Sequence, residues 1–469
     1  MTDVQRDPVT PTDDETGVLG PRYRALTLGV LLSVGMVAFE SLGVATVLPV
    51  IARDLDGLGA YGWGLSALML ANVVGTVLAG RAADRRGPAG PMTLGMVVFL
   101  AGCVVAGVAG SWPLFLVGRV LQGLGVGAVM AMAYTVIGLA YPEALRARMF
   151  ALLSSAWTVP SLVGPFAAGL LADGVGWRWV FGMMLPVVAV AAALTLPALR
   201  RLPHATGADA PAPAAVPWWR GPLMSSVQLT VGTALLLHAL LLQDVRLLVV
   251  LAVVGVVAAV PALRRVTPAG TLAARRGVAA GIVVRALLSG AYFGSEAFLP
   301  LGLQELRGQS ATAAGLGLSA GALTWVAGSF LQARWDVARP TARGRGVAVG
   351  SAVLLVGTAA IALTILTDAV PAWCAVLGWA VAGLGMGVAF NASTTETLGQ
   401  APATQQGLVS SSLQLAQTLA TALVAGVGGA ALAHAGTSVP ALRTALVAVF
   451  VATGVLATLS VLLSRRLRP

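Results

Sequence analysis

The chain contains no lysine and only two cysteines among its 469 residues. Charged residues make up 10% of it, against 57% hydrophobic. A soluble globular domain is not expected to carry so little charge. Cys103 and Cys374 each sit inside an apolar run, so they suggest neither a disulfide framework nor a metal cluster. No Walker-type phosphate loop, no metal-ligand spacing and no nucleophile–base arrangement occurs. The chain therefore reads as neither an enzyme nor an ATP-driven pump, with no catalytic residue, no metal and no cofactor. The first twenty residues, with Asp3, Asp7, Asp13, Asp14 and Glu15, lack the basic-then-apolar order of a cleaved signal peptide. They read as a cytoplasmic tail.

What the chain has is long apolar runs. Fourteen fall at about 25–49, 61–80, 91–110, 112–140, 147–171, 177–199, 223–243, 246–263, 279–301, 312–333, 346–366, 372–392, 407–435 and 441–463. Crossing a bilayer as a helix takes ~20 residues. The expectation is an all-α membrane protein with fourteen transmembrane helices, in contact with lipid. The net charge of +11 rests wholly on arginine, in short loops rather than on one soluble face, so it does not point to nucleic acid.

The arginines orient the chain. With the N-terminus inside, the outward loops hold only Arg53, Arg178, Arg246, Arg307 and Arg443. Clusters such as Arg81/Arg85/Arg86, Arg264/Arg265, Arg275/Arg276 and Arg465/Arg466/Arg468 then face the cytoplasm, a strong positive-inside bias. If only one of runs seven and eight crossed, the Arg334–Arg345 cluster would face outside. Either both cross or neither does, and we take both. Both termini are then cytoplasmic. The arginine bias suggests a GC-rich bacterium and hence its inner membrane.

The expected organisation is a tail at 1–24, a six-helix bundle at 25–200, linkers and a two-helix hairpin at 201–278, a second six-helix bundle at 279–464, and a tail at 465–469. The linker from Leu202 to Pro217 is Pro/Ala-rich and ends at Trp218-Trp219, placed to sit among headgroups.

Gly118-Arg119-Val120-Leu121-Gln122-Gly123-Leu124-Gly125-Val126-Gly127 recurs in spacing as Gly378-Trp379-Ala380-Val381-Ala382-Gly383-Leu384-Gly385-Met386-Gly387. The echo suggests duplicated halves, a common transporter plan. An arginine inside such a run marks a functional site with a buried partner. Glu40 lies nine residues before Pro49, about 13 Å deep at 1.5 Å per residue, and Arg119 about 10 Å deep. The depths agree, so the two could pair. Proton coupling needs an intramembrane carboxyl that titrates between two states, and Glu40 and Glu296 are the clear acids within runs. A static buried pair is the alternative for Glu40, and a solvated residue at the outer mouth is the alternative for Glu296. Arg285 reads as snorkelling to the cytoplasmic surface.

Gly80-Arg81-Ala82-Ala83-Asp84-Arg85-Arg86-Gly87 resembles the Gly-x-x-x-Asp-Arg-x-Gly loop of the major facilitator superfamily. Arg119-Val120-Leu121-Gln122-Gly123 resembles its Arg-x-x-Gln-Gly motif, and Trp177-Arg178-Trp179-Val180-Phe181 its start of the sixth helix. Gly164-Pro165-Phe166-Ala167-Ala168-Gly169 is similar to the Gly-Pro-x-x-Gly-Gly motif of proton antiporters, and Glu40…Pro49 to the Asp…Pro pattern of the fourteen-helix drug:proton antiporter branch. The basic pair expected after Gly87 is replaced by Pro88-Ala89.

The resemblance implies the major facilitator fold, two six-helix bundles plus a central two-helix insert. It implies a monomeric proton-coupled antiporter exporting hydrophobic or amphipathic small molecules (multidrug efflux), driven by the proton gradient through alternating access. The implied gate loop comprises Gly80, Asp84, Arg85, Arg86 and Gly87, with short-turn glycines at both ends. The implied fifth-run motif is Gly164, Pro165 and Gly169, where proline would bend the helix and glycines pack it. Candidate cavity residues are Asn72, Gln122, Trp157, Trp379, Asn391 and Gln414. The same machinery suits a dedicated exporter of one endogenous metabolite or lipid. A non-transporting scaffold or sensor would not need Glu40, Arg119 and the loop intact.

Overall fold

The computed structural model describes residues 17–200, 221–338, 343–402, 405–436 and 438–467. Most of the N-terminal tail, the linker with Trp218 and Trp219, and the last two residues lie outside them. The described residues contain α-helices and short 3-10 turns and no strand. In chain order these are α1 (Arg24–Asp54), α2 (Trp63–Arg86), α3 (Ala89–Gly107), α4 (Trp112–Ala140), α5 (Glu143–Ser155), α6 (Thr158–Gly174), α7 (Arg178–Gly182) and α8 (Met184–Arg200). The hairpin follows as α9 (Pro222–Ala239) and α10 (Val245–Val266). The second half holds α11 (Val278–Glu305), α12 (Ala311–Ala338), α13 (Arg343–Leu366), α14 (Cys374–Gly399), α15 (Gln406–Ala435) and α16 (Val439–Leu463).

These make fourteen spans, with α5–α6 and α7–α8 each serving as one. Twelve are long and apolar enough to cross a membrane by length and composition alone. The other two are α5–α6, which is broken, and α9, which is short and polar. Span five breaks at Ala156-Trp157 and runs on through Pro165. The sequence placed the disturbance at Pro165. The cause of the break is nearer: Pro160 has no N–H to give the Ala156 carbonyl, so the ladder stops there. Span one also passes through Pro49 to Asp54 rather than ending at the proline.

The glycine echo is a packing device used twice. A Cβ on Gly123 would lie 2.2 Å from the Leu68 carbonyl, and one on Gly127 2.2 Å from that of Asn72, so α4 touches α2 backbone to backbone. Gly118 and Gly125 meet α3 at Ala106 and Phe99 in the same way. In the second half Gly383 and Gly387 press α14 onto the carbonyls of Gly321 and Trp325 in α12, while Gly378 and Gly385 press it onto α13. Span four wedges between spans two and three as span twelve wedges between ten and eleven. Only glycine permits such approach.

Six spans from each half pack around each other. The α9–α10 hairpin lies outside them, where α9 seals the groove between α2 and α15 through Leu237 against Leu70 and Ala422. The α10 helix packs on α9 and leaves Val249, Val250, Val253 and Val257 exposed, as a lipid-facing span requires.

The two halves meet at the end of the molecule away from α1's start. There Tyr61 Oη donates to the Ala297 carbonyl at 3.0 Å, and Gln304 Nε2 to that of Thr46 at 3.1 Å. Arg53 pairs with Glu305 at 2.9 Å, and Asp173 accepts from Thr312 Oγ1 at 2.6 Å. Behind Asp54, Trp177 Nε1 and Arg178 Nη1 donate to its carboxylate at 2.9 and 3.1 Å, which fixes the start of span six against the end of span one.

Candidate functional site

The site begins at α4, whose glycines bring α2 and α3 close enough for one long side chain to reach two neighbours. Arg119 leaves α4 towards α1, and its Nη1 donates to Glu40 Oε1. Both side chains are 1% exposed. Arg119 Nε donates to the Gly64 carbonyl in α2 at 2.7 Å, and Nη1 also to Gln122 Oε1 at 2.9 Å. Gln122 Nε2 turns to Cys103 Sγ in α3 at 3.3 Å. One arginine thus ties spans one, two and four, and its glutamine neighbour adds span three. Glu40 Oε2 is buried and accepts nothing among the described residues. Two charges taken out of water repay their desolvation only when well paired.

Gly64 is the second step outward. It sits between Tyr61 and Ser66, and both bond to the other half of the molecule: Tyr61 to Ala297, and Ser66 Oγ to the Ala422 carbonyl at 2.8 Å. Gly62 lies between them, where a Cβ would come 2.2 Å from the Ala425 carbonyl. The buried pair and the closed end of the molecule are therefore joined through one turn of α2.

The fifth-run motif stands at the same seam. Gly169 faces the Ala311 carbonyl and Thr312, where a Cβ would meet atoms at 2.7 Å. Gly315 faces the Pro165 carbonyl, where a Cβ would meet it at 2.3 Å. Gly164 packs on Phe39 of α1. The motif lets α6 and α12 touch across the two halves.

The second half offers aromatics in place of the ion pair. Trp379 is wholly buried and stacks on Tyr292, with ring centroids 4.5 Å apart. Tyr292 also meets Trp325 edge-on at 5.1 Å, and Trp325 meets Phe390 at 5.2 Å. Glu296 lies one turn beyond Tyr292 and is 7% exposed, so it is not a solvated residue at an open mouth. Arg285 corrects the snorkelling expectation: it is 2% exposed, its Nη2 donates to the Phe390 carbonyl and Thr394 Oγ1, and Phe390 lies over its guanidinium at 3.5 Å. Its position on the inward face of α11 aims it at α14 rather than at lipid or water.

The remaining candidates divide. Gln122 and Trp379 line no cavity here, because both are fully buried, one engaged by Arg119 and Cys103 and the other wedged between Tyr292 and Gly321. Trp157 stands exposed at the break in span five, Gln414 is exposed, and Asn72 and Asn391 are half-buried, with Asn72 Oδ1 accepting from Thr76 at 3.1 Å. In the gate loop, Gly80 is not a turn residue. It lies inside α2 with open space where a Cβ would be, because α2 continues to Arg86. Gly87 alone makes the turn, at φ +76°. Arg85 and Arg86 are exposed, and the Asp84 side chain lies outside what is described. Sequence reasoning missed Tyr61, Gln304, Phe293, Trp325 and Phe390. Aromatic spacing in α11 (Tyr292, Phe293, Phe298) was the available signal.

Comparison with known proteins bears on the fold and its family. Residues 30–425 match the family described as the Major Facilitator Superfamily. A probable multidrug-efflux transporter of Mycobacterium tuberculosis is 28% identical, over 96% of this chain and 98% of its own. Multidrug resistance protein 3 of Bacillus subtilis is 28% identical over 38% of this chain and 35% of its own. Among solved structures, the inward-facing, unoccupied form of a bacterial homologue of the human lysosomal transporter Spinster is similar in fold. Its TM-score is 0.65 at 18% identity, over 95% of this chain and 98% of that one. An auto-inhibited POT family peptide transporter gives 0.65 at 17%, over 94% and 98%. With its duplicated six-span halves and this match across most of its length, the chain belongs to the major facilitator superfamily.

Proposed function

We propose that this transporter exports hydrophobic or amphipathic small molecules across a bacterial cell membrane in exchange for protons, by alternating access. The observation that carries the proposal is the Glu40–Arg119 pair, buried in the first bundle with one carboxylate oxygen unpartnered. The name of the mycobacterial relative supports the substrate class.

Taking both termini as cytoplasmic on the arginine distribution, the closed end faces out, and we read the described state as inward-open. Here Glu40 holds Arg119, which holds Gly64 and with it the turn of α2 that seals against α11 and α15. Proton exchange at Glu40 changes its hold on Arg119, and the seal at Tyr61, Gly62 and Ser66 responds through Gly64. Proton and substrate occupy the carrier in alternation, which makes the movement an exchange. Trp325, Phe293 and Phe390, half-buried on the second half, supply the apolar wall.

Ethidium accumulation in everted membrane vesicles tests the reading. Energised vesicles carrying the chain should accumulate the dye, and a protonophore should abolish accumulation. No protonophore-sensitive movement of ethidium or of uncharged dyes would contradict it.

A further inference from the structure

Arg285, Ser289, Tyr292 and Glu296 are spaced four, three and four residues apart, so they share one face of α11. That face turns inward, towards α14 and α12. The guanidinium at one end of it has only neutral acceptors, the Phe390 carbonyl and Thr394 Oγ1. Among the described residues its Nε has no partner, and neither has the buried Ser289 Oγ one turn along. Glu296 is eleven residues away, about 16 Å along the helix, too far to neutralise it. Among the described residues no carboxylate pairs with Arg285.

The neighbouring surface is aromatic. Phe390 covers one face of the guanidinium, Trp325 packs against Phe390, and Phe293 against Trp325 at 5.9 Å. These three rings are half-buried, unlike Tyr292 and Trp379 behind them. A charged side chain buried in a membrane span marks a functional site by default. No carboxylate among the described residues neutralises Arg285, while free donors and aromatic rings lie around it.

We propose that this face of the second bundle is a binding site for aromatic anions, with the anionic head at the Nε edge of Arg285 beside Ser289 and the ring among Phe293, Trp325 and Phe390. The inference rests on the export reading for its biological use and adds one class of substrate to it. It separates the roles of the halves: the first carries its own neutralised pair, and the second carries a cation that its cargo neutralises. A guanidinium also suits a carboxylate better than an ammonium would, because its planar donors match the planar head.

The test is equilibrium dialysis of the full-length purified protein, without any proton gradient. Three probes share one ring system: 2-naphthoate, 2-naphthalenemethanol and 2-naphthylmethylammonium. Saturable binding of the naphthoate should be at least tenfold tighter than that of the other two. Arg285→Gln should weaken naphthoate at least tenfold and leave the alcohol within threefold. Trp325→Leu should weaken all three together. If Arg285→Gln does not fold, Arg285→Lys, which keeps charge but lacks the Nε edge, should weaken naphthoate at least threefold. Tighter binding of the ammonium probe, or naphthoate binding indifferent to both Arg285 variants, would overturn the proposal. Because dialysis involves no gradient, failure of proton-coupled export would leave this result standing, and intact ethidium export would not rescue it.

Discussion

Arg119 Nε donates to the Gly64 carbonyl at 2.7 Å, and this bond links the buried charge pair to the seal between the two halves. Arg119 is held on its other side by Glu40. Gly64 lies two residues from Gly62, which abuts the Ala425 carbonyl, and three from Tyr61. A change of charge at Glu40 therefore has a direct mechanical outlet.

Tyr61→Phe removes one buried hydrogen bond from that seal and keeps the ring against Phe298, 5.7 Å away. A lost bond of this kind is worth about 1 kcal/mol, or roughly a fivefold shift in a two-state population. The variant should spend more time open at the sealed end. Labelling of a cysteine placed at position 304 by a membrane-impermeant thiol reagent reads this, in a Cys374→Ser background with buried Cys103 retained. Glu305→Gln, which breaks a partly exposed pair with Arg53, should shift labelling less.

Gly315→Ala should act more strongly in the same direction. Its methyl would lie 2.3 Å from the Pro165 carbonyl, a backbone atom that cannot swing aside, so α6 and α12 must separate. The distance between spin labels at 173 and 312 should lengthen in the variant, while the labelled parent shows the short distance. Unchanged distances would mean that the seam tolerates the methyl.

Trp379→Ala should cost stability rather than proton coupling. The indole is wholly buried between Tyr292 and Gly321, and removing such a side chain costs about 3–5 kcal/mol in globular cores. The melting temperature in detergent should fall by several degrees or more, while protonophore sensitivity persists. A normal melting temperature with lost coupling would assign Trp379 to the switch.

The spans and the glycine wedge were legible in the sequence because hydrocarbon imposes length and because close helix packing leaves glycine no substitute. The Glu40–Arg119 pair was legible by depth, since charges in a bilayer leave few partners. Three features were not. Arg285 looked like a snorkelling residue because distance from the helix end was counted and the face it occupies was not. Gly80 looked like a turn glycine because helix ends cannot be fixed by composition when the next turn, Gly87-Pro88, is so short. The contacts between halves, such as Tyr61 with Ala297 and Gln304 with Thr46, join positions 236 and 258 residues apart, and no local pattern encodes them.

The most direct measurement compares the parent and Glu40→Gln in proteoliposomes, following ethidium movement under an imposed pH gradient and, separately, ethidium exchange at equal pH. Glutamine keeps the side chain's size and an acceptor for Arg119 but cannot titrate. Gradient-driven movement should fall at least tenfold while exchange at equal pH and the elution profile of the folded protein persist. Gradient-driven movement equal to the parent's would contradict the assignment of Glu40 as the proton switch.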